Sequence, residues 1–286
     1  MSALRMAAVS AGFGRDLDED FAIVERLVKE ARNAGVRLLA LPEACLGGYL
    51  LSLDGDAADA GPPPLAVDGP EIRRLAALAG DASDAGDMVV VAGYCEDGGD
   101  ARYNSVVCVS GDGVLGNHRK VHQPLGENAS YASGDGFRAF DTPVGRIGMM
   151  ICYDKAFPES ARALALDGAQ IGVCVSAWPG SRTNAVADLE RDRWKRRFDL
   201  FDRARALENQ IVWLSANQAG TFGSLRFVGS AKVVDPGGEI VAATGVGPGA
   251  AVAEIDVPRA LEAARRSMGH LRDRRPETYG TAGHAE

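Results

Sequence analysis

At 286 residues, 30.0 kDa and a formal net charge of −8, the chain fits one large domain, since α/β units reach about 250 residues. Hydrophobic residues at 46% and charged residues at 24% exclude a disordered or fibrous chain, and the acidic balance disfavours binding to a nucleic-acid backbone as a main function. No apolar run approaches the ~20 residues that span a bilayer, the N-terminus makes a poor signal peptide, and five cysteines without paired spacing argue against a disulfide framework, so a cytoplasmic protein that does not engage membranes is expected.

Strand and helix alternate almost from end to end. Residues 4–9 read as a buried strand. Residues 18–34 carry Phe21, Val24, Leu27, Val28 and Ala31 at helical spacing, with Gly35 as a stop. The run 36–43 is a short, wholly apolar strand of the kind covered on both faces. Residues 50–68 read as a surface loop, and 69–85 as a helix with Pro70 in its first turn. Three β segments follow, the last two joined by a Gly-Asp-Gly turn. Residues 137–154 form another hairpin, 158–169 a helix ended by Gly168, and 171–178 a strand. A long helix is expected over about 184–208, with Trp194, Phe198 and Phe201 on one face as core packing. After it come a strand at 211–217, a hairpin around Pro236-Gly237-Gly238, a last strand and a last helix started by Pro258.

No stretch reads as an interdomain linker, so residues 1–268 are taken as a single domain and 269–286 as a C-terminal tail. Hairpins mixed with βα units imply a mixed sheet. Some strands are apolar throughout and others alternate, which two packed sheets with helices outside would satisfy. Gly111–Gly116 matches G-x-G-x-x-G, but a strand-like segment follows it where dinucleotide binding needs a helix. His118 and His122 are four apart at a strand end, where that spacing does not suit a metal.

Three segments share one feature: each is an apolar strand ending in a reactive side chain. The run 38–42 delivers Glu43, His118-Arg119 delivers Lys120, and 147–151 delivers Cys152. In α/β folds, reactive groups collect at strand ends, where rigid backbone meets an open crevice. The three types are complementary. A thiolate is a strong nucleophile that a nearby ammonium stabilises, a carboxylate held out of water can shuttle protons near neutral pH, and a lysine charge can neutralise an oxyanion. This chemistry needs neither metal nor cofactor. Cys108 and Cys174 read as core filler; Cys45 and Cys95 remain open as alternative nucleophiles.

These segments resemble the nitrilase superfamily, the carbon–nitrogen hydrolases with a Glu-Lys-Cys triad. Leu41-Pro42-Glu43 resembles its Glu motif, 119–124 its Lys motif and 151–162 its Cys motif, and the likeness continues through 133–135, 205–210, 215–217, 227–238 and 274–280 in the expected order. The resemblance implies an α/β fold, a four-layer αββα sandwich with two mixed β-sheets. It also implies a homodimer or larger homo-oligomer, with the tail packing on a partner subunit. It assigns Cys152 as nucleophile, Glu43 as general base and Lys120 as oxyanion stabiliser. Glu127 stands where many members carry a further Glu, to orient the substrate nitrogen or the lysine, and the backbone N–H of Tyr153 is the second oxyanion donor. Tyr153-Asp154 resembles the amidase and carbamoylase branches, where true nitrilases tend to have Trp-Glu. The expected substrate is therefore a small amide or carbamoyl compound. Lys155 is expected to hold a substrate carboxylate, against the plainer reading that it faces solvent or pairs with Glu159. Trp178 is expected to bind substrate as well. A non-catalytic scaffold, an acyltransferase using the same thioester and a dinucleotide-dependent oxidoreductase are the competing classes.

Overall fold

The structure, a computed structural model, describes residues 3–54, 61–80 and 88–280. In chain order it has β1 (Leu4–Ala11), α1 (Leu17–Asn33), β2 (Leu38–Ala40), α2 (Pro70–Gly80), β3 (Val89–Asp97), β4 (Arg102–Ser110) and β5 (Gly113–Arg119). Then come β6 (Ala139–Thr142), β7 (Gly145–Ile151), α3 (Pro158–Leu166), β8 (Ile171–Ser176), α4 (Arg193–Asn209) and β9 (Val212–Phe222). The chain continues with β10 (Leu225–Val228), β11 (Lys232–Val234), β12 (Ile240–Ala243), β13 (Gly249–Ile255) and α5 (Val257–Ser267).

The strands pair in the order β5-β4-β3-β2-β1-β9-β8-β7-β6, with β13 beside β1, β10 and β11 on β9, and β12 on β11. Because side chains alternate across a strand, each central strand feeds two layers. Val90, Met150 and Cys174 face outward onto helices, while their neighbours Val91, Met149 and Val173 face inward. On one outer face Val24, Val28 and Leu75 of α1 and α2 cover Val9, Val90 and Val107. On the other, Leu164 and Ala206 of α3 and α4 cover Met150, Cys174 and Trp213. Between them Met6, Leu38 and Val106 meet Met149, Val173 and Leu214. The result is the expected four-layer αββα sandwich. Each fully buried aliphatic side chain contributes about 1.5–3 kcal/mol, and the double coverage explains why β2, β7 and β8 are apolar without alternation.

The two expected sheets are not separate. They join at one corner, where Ser10 and Ala11 of β1 pair in parallel with Asn217 and Gln218 of β9. At this corner Gln218 Nε2 donates to the Glu43 carbonyl at 2.9 Å and Gln218 Oε1 accepts from Phe13 N at 3.1 Å. The corner thus also fixes the backbone after β2.

The helix expected from about 184 starts at Arg193. Asp192 caps it by accepting from Trp194 N at 2.7 Å, and Asp188 separately caps a 3-10 turn over Leu189–Arg191. Two short-range caps divide what periodicity reads as one helix. The helix expected over 69–85 is described as far as Gly80; 81–87 lie outside the described residues. The start of the tail is tied to its own chain, with His270 N donating to Gln210 Oε1 at 3.1 Å. Among the described residues no helix is long and apolar enough to cross a membrane.

Gly93 in β3 lies directly under Glu43. A Cβ there would meet the Ala44 nitrogen and approach Glu43 Cα to 2.6 Å, with backbone atoms that cannot swing away. Gly93→Ala is therefore expected to destabilise the fold by about 1–3 kcal/mol, measured by denaturant unfolding, although alanine suits a strand better than glycine.

Candidate active site

β7, β8 and β9 are mutually parallel, β1 is parallel to β2 and β9, and β2 to β3. β5 runs in the sense of β3, since both are antiparallel to β4. The C-terminal ends of β2, β5, β7 and β8 therefore open on one side, and Glu43, Lys120, Cys152 and Trp178 stand just beyond them.

Glu43, Lys120 and Glu127 are all completely buried. Lys120 Nζ donates to Glu43 Oε1 at 2.8 Å and to Glu127 Oε2 at 2.7 Å. Asn104 Nδ2 donates to one oxygen of each carboxylate at 2.6 Å, and the Ala177 amide donates to Glu43 Oε2. Burial works against the Lys120 ammonium, but the charges of Glu127 and Glu43 outweigh it and hold its pKa above the ordinary lysine value. Burial also raises the Glu127 carboxyl. The Lys120 ammonium lies 5.9 Å from the Tyr49 ring centroid, within cation–π range.

Cys152 opens a 3-10 turn, Cys152–Ala156, directly after β7, and has φ 49°, a left-handed conformation that costs a non-glycine residue energy. Asp154 holds this turn. It accepts from Ile151 N at 3.1 Å, from His122 N and lies 2.9 Å from His122 Nδ1 and 3.4 Å from His118 Nε2. Burial alone would raise its carboxyl, but the two histidines hold it down to about 2. The spaced histidines thus serve one carboxylate, and among the described residues no group of three or more His, Cys, Asp or Glu is placed to hold a metal ion.

Cys152 lines a cavity of about 420 Å³ together with Tyr49, Tyr153, Trp178, Trp194 and Phe201. Cys45 and Cys95, open as nucleophiles from the sequence, do not line it. Cys45 is fully buried with its thiol on Gly93 O at 3.4 Å, and burial pushes Cys95 up to about 11. Burial also raises the Cys152 thiol well above its ordinary value; the Glu43 carboxylate adds to this and the Lys120 ammonium opposes it. The resting group is the thiol, which makes a neighbouring base necessary for attack. Trp178 and Tyr153 are in the cavity wall. The aromatic face of α4, expected as core packing, is divided: Phe198 is buried, whereas Trp194 and Phe201 face the cavity.

Lys155 corrects the sequence reading. It is completely buried, donates to Asp202 Oδ1 at 2.8 Å and sits 3.1 Å from the Phe198 ring centroid. It faces neither solvent, nor Glu159, nor the cavity, because the short turn after β7 points it back under α4, where Asp202 neutralises it. Asp202 also accepts from Lys232 Nζ at 2.8 Å and Trp213 Nε1 at 3.0 Å. From the same helix Arg205 Nε donates to the Lys155 carbonyl at 2.8 Å. Helix α4 therefore grips the Cys152 turn from behind while lining the cavity in front. Sequence reasoning missed Asn104, Asp154, Asp202 and Arg205. Asp154 and Arg205 lie within segments of the family likeness, 151–162 and 205–210, but nothing in the sequence marked what any of the four would contact.

Two outcomes follow from these contacts. Asp202→Ala leaves Lys155 without its acid and Lys232 with Asp199 alone, and should cost about 3–5 kcal/mol in chemical unfolding, with partial recovery in Asp202→Ala/Lys155→Met. Asp154 has its pKa depressed on folding, so its contribution is full above pH ~4 and is lost as pH falls through about 2. In urea unfolding the wild type should lose about 2 kcal/mol more than Asp154→Asn over that interval.

The model of the carbon-nitrogen hydrolase family matches residues 5–265. The chain is 34% identical to a protein named nitrilase from Pyrococcus abyssi, over 92% of this chain and 93% of that one. It is 31% identical to N-carbamoylputrescine amidase from Arabidopsis thaliana, over 92% and 90%. Among solved structures it resembles a carbon-nitrogen hydrolase from Helicobacter pylori G27 with TM-score 0.80 and 25% identity, over 97% of each chain. An amidase from Nesterenkonia sp. superposes with TM-score 0.74 and 25% identity, over 96% of this chain and 95% of that one. With its sandwich, its cavity thiol and its buried Glu–Lys cluster, the chain belongs to the carbon-nitrogen hydrolase family.

Proposed function

We propose that the protein hydrolyses the C–N bond of a small amide, releasing ammonia and a carboxylic acid through a thioester on Cys152. The observation that carries this reading is a strained thiol on a cavity wall, acted on by the charges of the buried Glu43 and Lys120. Glu43 takes the Cys152 proton as sulfur attacks the carbonyl carbon. Lys120 and the Tyr153 amide stabilise the oxyanion; one such donor is worth about 3–4 kcal/mol. As the C–N bond breaks, Glu43 gives its proton to the leaving nitrogen. Glu43 then takes a proton from water, hydroxide adds to the thioester, and the acid departs as sulfur regains a proton. Two moderate barriers replace one high one. Glu127 orients Lys120 through the 2.7 Å contact.

Hydrolysis of an N-carbamoyl amine is the second reading, favoured by the relatives named N-carbamoylputrescine amidase. It uses the same groups and releases carbon dioxide as well as ammonia. The nitrilase relative keeps nitriles in the test, and the oxyanion chemistry also admits acyl transfer from the thioester. The reading extends to a protein of one domain, residues 1–268, that self-associates with the 269–286 tail at the contact.

Ammonia release across aliphatic amides, N-carbamoyl amines and nitriles, with carbon dioxide and hydroxamate measured in parallel, separates these chemistries. Cys152→Ala is expected to lower turnover at least 10⁴-fold, in line with loss of a nucleophile. Intact-mass labelling by an alkylating amide should modify Cys152 alone. Label on Cys45 or Cys95, with Cys152→Ala still active, would overturn the assignment.

A further inference from the structure

Resting on the amide-hydrolase reading, we infer that Arg197 selects substrates whose far end carries a carboxylate or a similar anion, and that ammonium-tailed substrates are disfavoured. Trp194, Arg197 and Phe201 project from one face of α4, and all three line the cavity that holds Cys152. The aromatic pair closes on Trp178, with ring centroids at 6.2 Å for Trp194 and 6.1 Å for Phe201. Arg197 stands between them and is exposed.

Among the described residues no acid pairs with Arg197. The positions three and four residues away on α4 are Arg193, Trp194, Leu200 and Phe201, so the helix offers no acid at ion-pairing distance. No hydrogen bond or ion pair links Arg197 to another of the described residues. No Asp or Glu lines the cavity among the described residues. The nearby lysines are committed elsewhere, Lys120 to Glu43 and Glu127, and Lys155 to Asp202. Among the described residues the cavity therefore presents an aromatic wall, a thiol and a guanidinium with no acid beside it, inside a chain whose net charge is −8. A guanidinium binds a carboxylate through two parallel N–H donors, and the apolar wall accommodates a methylene spacer between that carboxylate and the scissile amide. An ammonium at the same place meets repulsion and no acid. The carboxylate role expected of Lys155 thus falls to a different residue, on the helix that also holds Lys155 in place.

The test uses three amides of matched length: glutaramate, its uncharged isostere 5-methylhexanamide, and 5-aminopentanamide. Wild type is expected to prefer glutaramate to 5-aminopentanamide by at least about tenfold in kcat/KM, and about 0.5 M salt should shrink that preference. Arg197→Ala should lower the glutaramate to 5-methylhexanamide ratio about tenfold, through KM. Arg197→Lys should retain part of the preference and Arg197→Glu should turn it towards 5-aminopentanamide. A ratio in Arg197→Ala within about twofold of wild type overturns the inference. Binding to Cys152→Ala, followed by tryptophan fluorescence, separates this from the reaction itself. If wild type cleaves none of these three and no member of the wider amide, N-carbamoyl amine and nitrile panel, the hydrolase reading fails. The inference then stands if glutaramate binds more tightly than 5-aminopentanamide in an Arg197-dependent way, and falls if the two bind alike.

Discussion

The Lys120 ammonium, fully buried between the carboxylates of Glu43 and Glu127, is the contact on which the rest of the molecule depends. Burying such a cluster is costly, and its internal attraction offsets that cost only when geometry is good and the remaining polar atoms are satisfied. The protein meets this condition with neutral donors: Asn104 donates to both acids, and the Ala177 amide donates to the outer oxygen of Glu43. Asn104 Oδ1 is left buried, with no partner among the described residues. Glu43, Lys120 and Ala177 follow β2, β5 and β8, Asn104 lies within β4 and Glu127 in a 3-10 turn, so the cluster forms only when those four strands are in register. Chemistry and fold share one constraint.

Behind the cavity a second buried ionic cluster has a different task. Asp202 pairs with both Lys155 and Lys232, Asp199 adds a second acid to Lys232, and both ammoniums lie over the Phe198 ring, at 3.1 and 4.1 Å from its centroid. None of these groups lines the cavity. Together with Arg205 they fasten the Cys152–Ala156 turn to α4, while Asp154 fastens it to β5 and the segment after it. The positive φ at Cys152 needs such over-determination, since a strained conformation persists only where its surroundings leave no alternative. The side of α4 facing outward from this clamp supplies Trp194 and Phe201, so substrate contact and nucleophile placement are borne by one rigid element.

Much of the fold was legible in the sequence because its signals are local. Period-two and continuous apolar runs marked the strands, the Gly-Asp-Gly turn marked the β4–β5 hairpin, and Pro70 and Pro258 marked helix starts. The start of α4 was misread because Asp188 and Asp192, as caps, interrupt a segment whose periodicity runs on. The family and the positions of Glu43, Lys120 and Cys152 were legible too, since each stands just beyond a strand within a motif of its own.

By itself the sequence determined which elements form, that some strands must be covered on both faces, and which reactive side chains stand at strand ends. The tertiary structure alone decided which cysteine meets the cavity, that Asn104 bridges two acids, and that Lys155 turns inward to Asp202 while Arg197 turns outward. The physical reason is range. Backbone preference and apolar periodicity act over a few neighbouring residues, whereas an ion pair such as Glu43–Lys120, 77 residues apart, exists only after distant strands are laid side by side. A charge's partner, and hence its role, is a property of that arrangement.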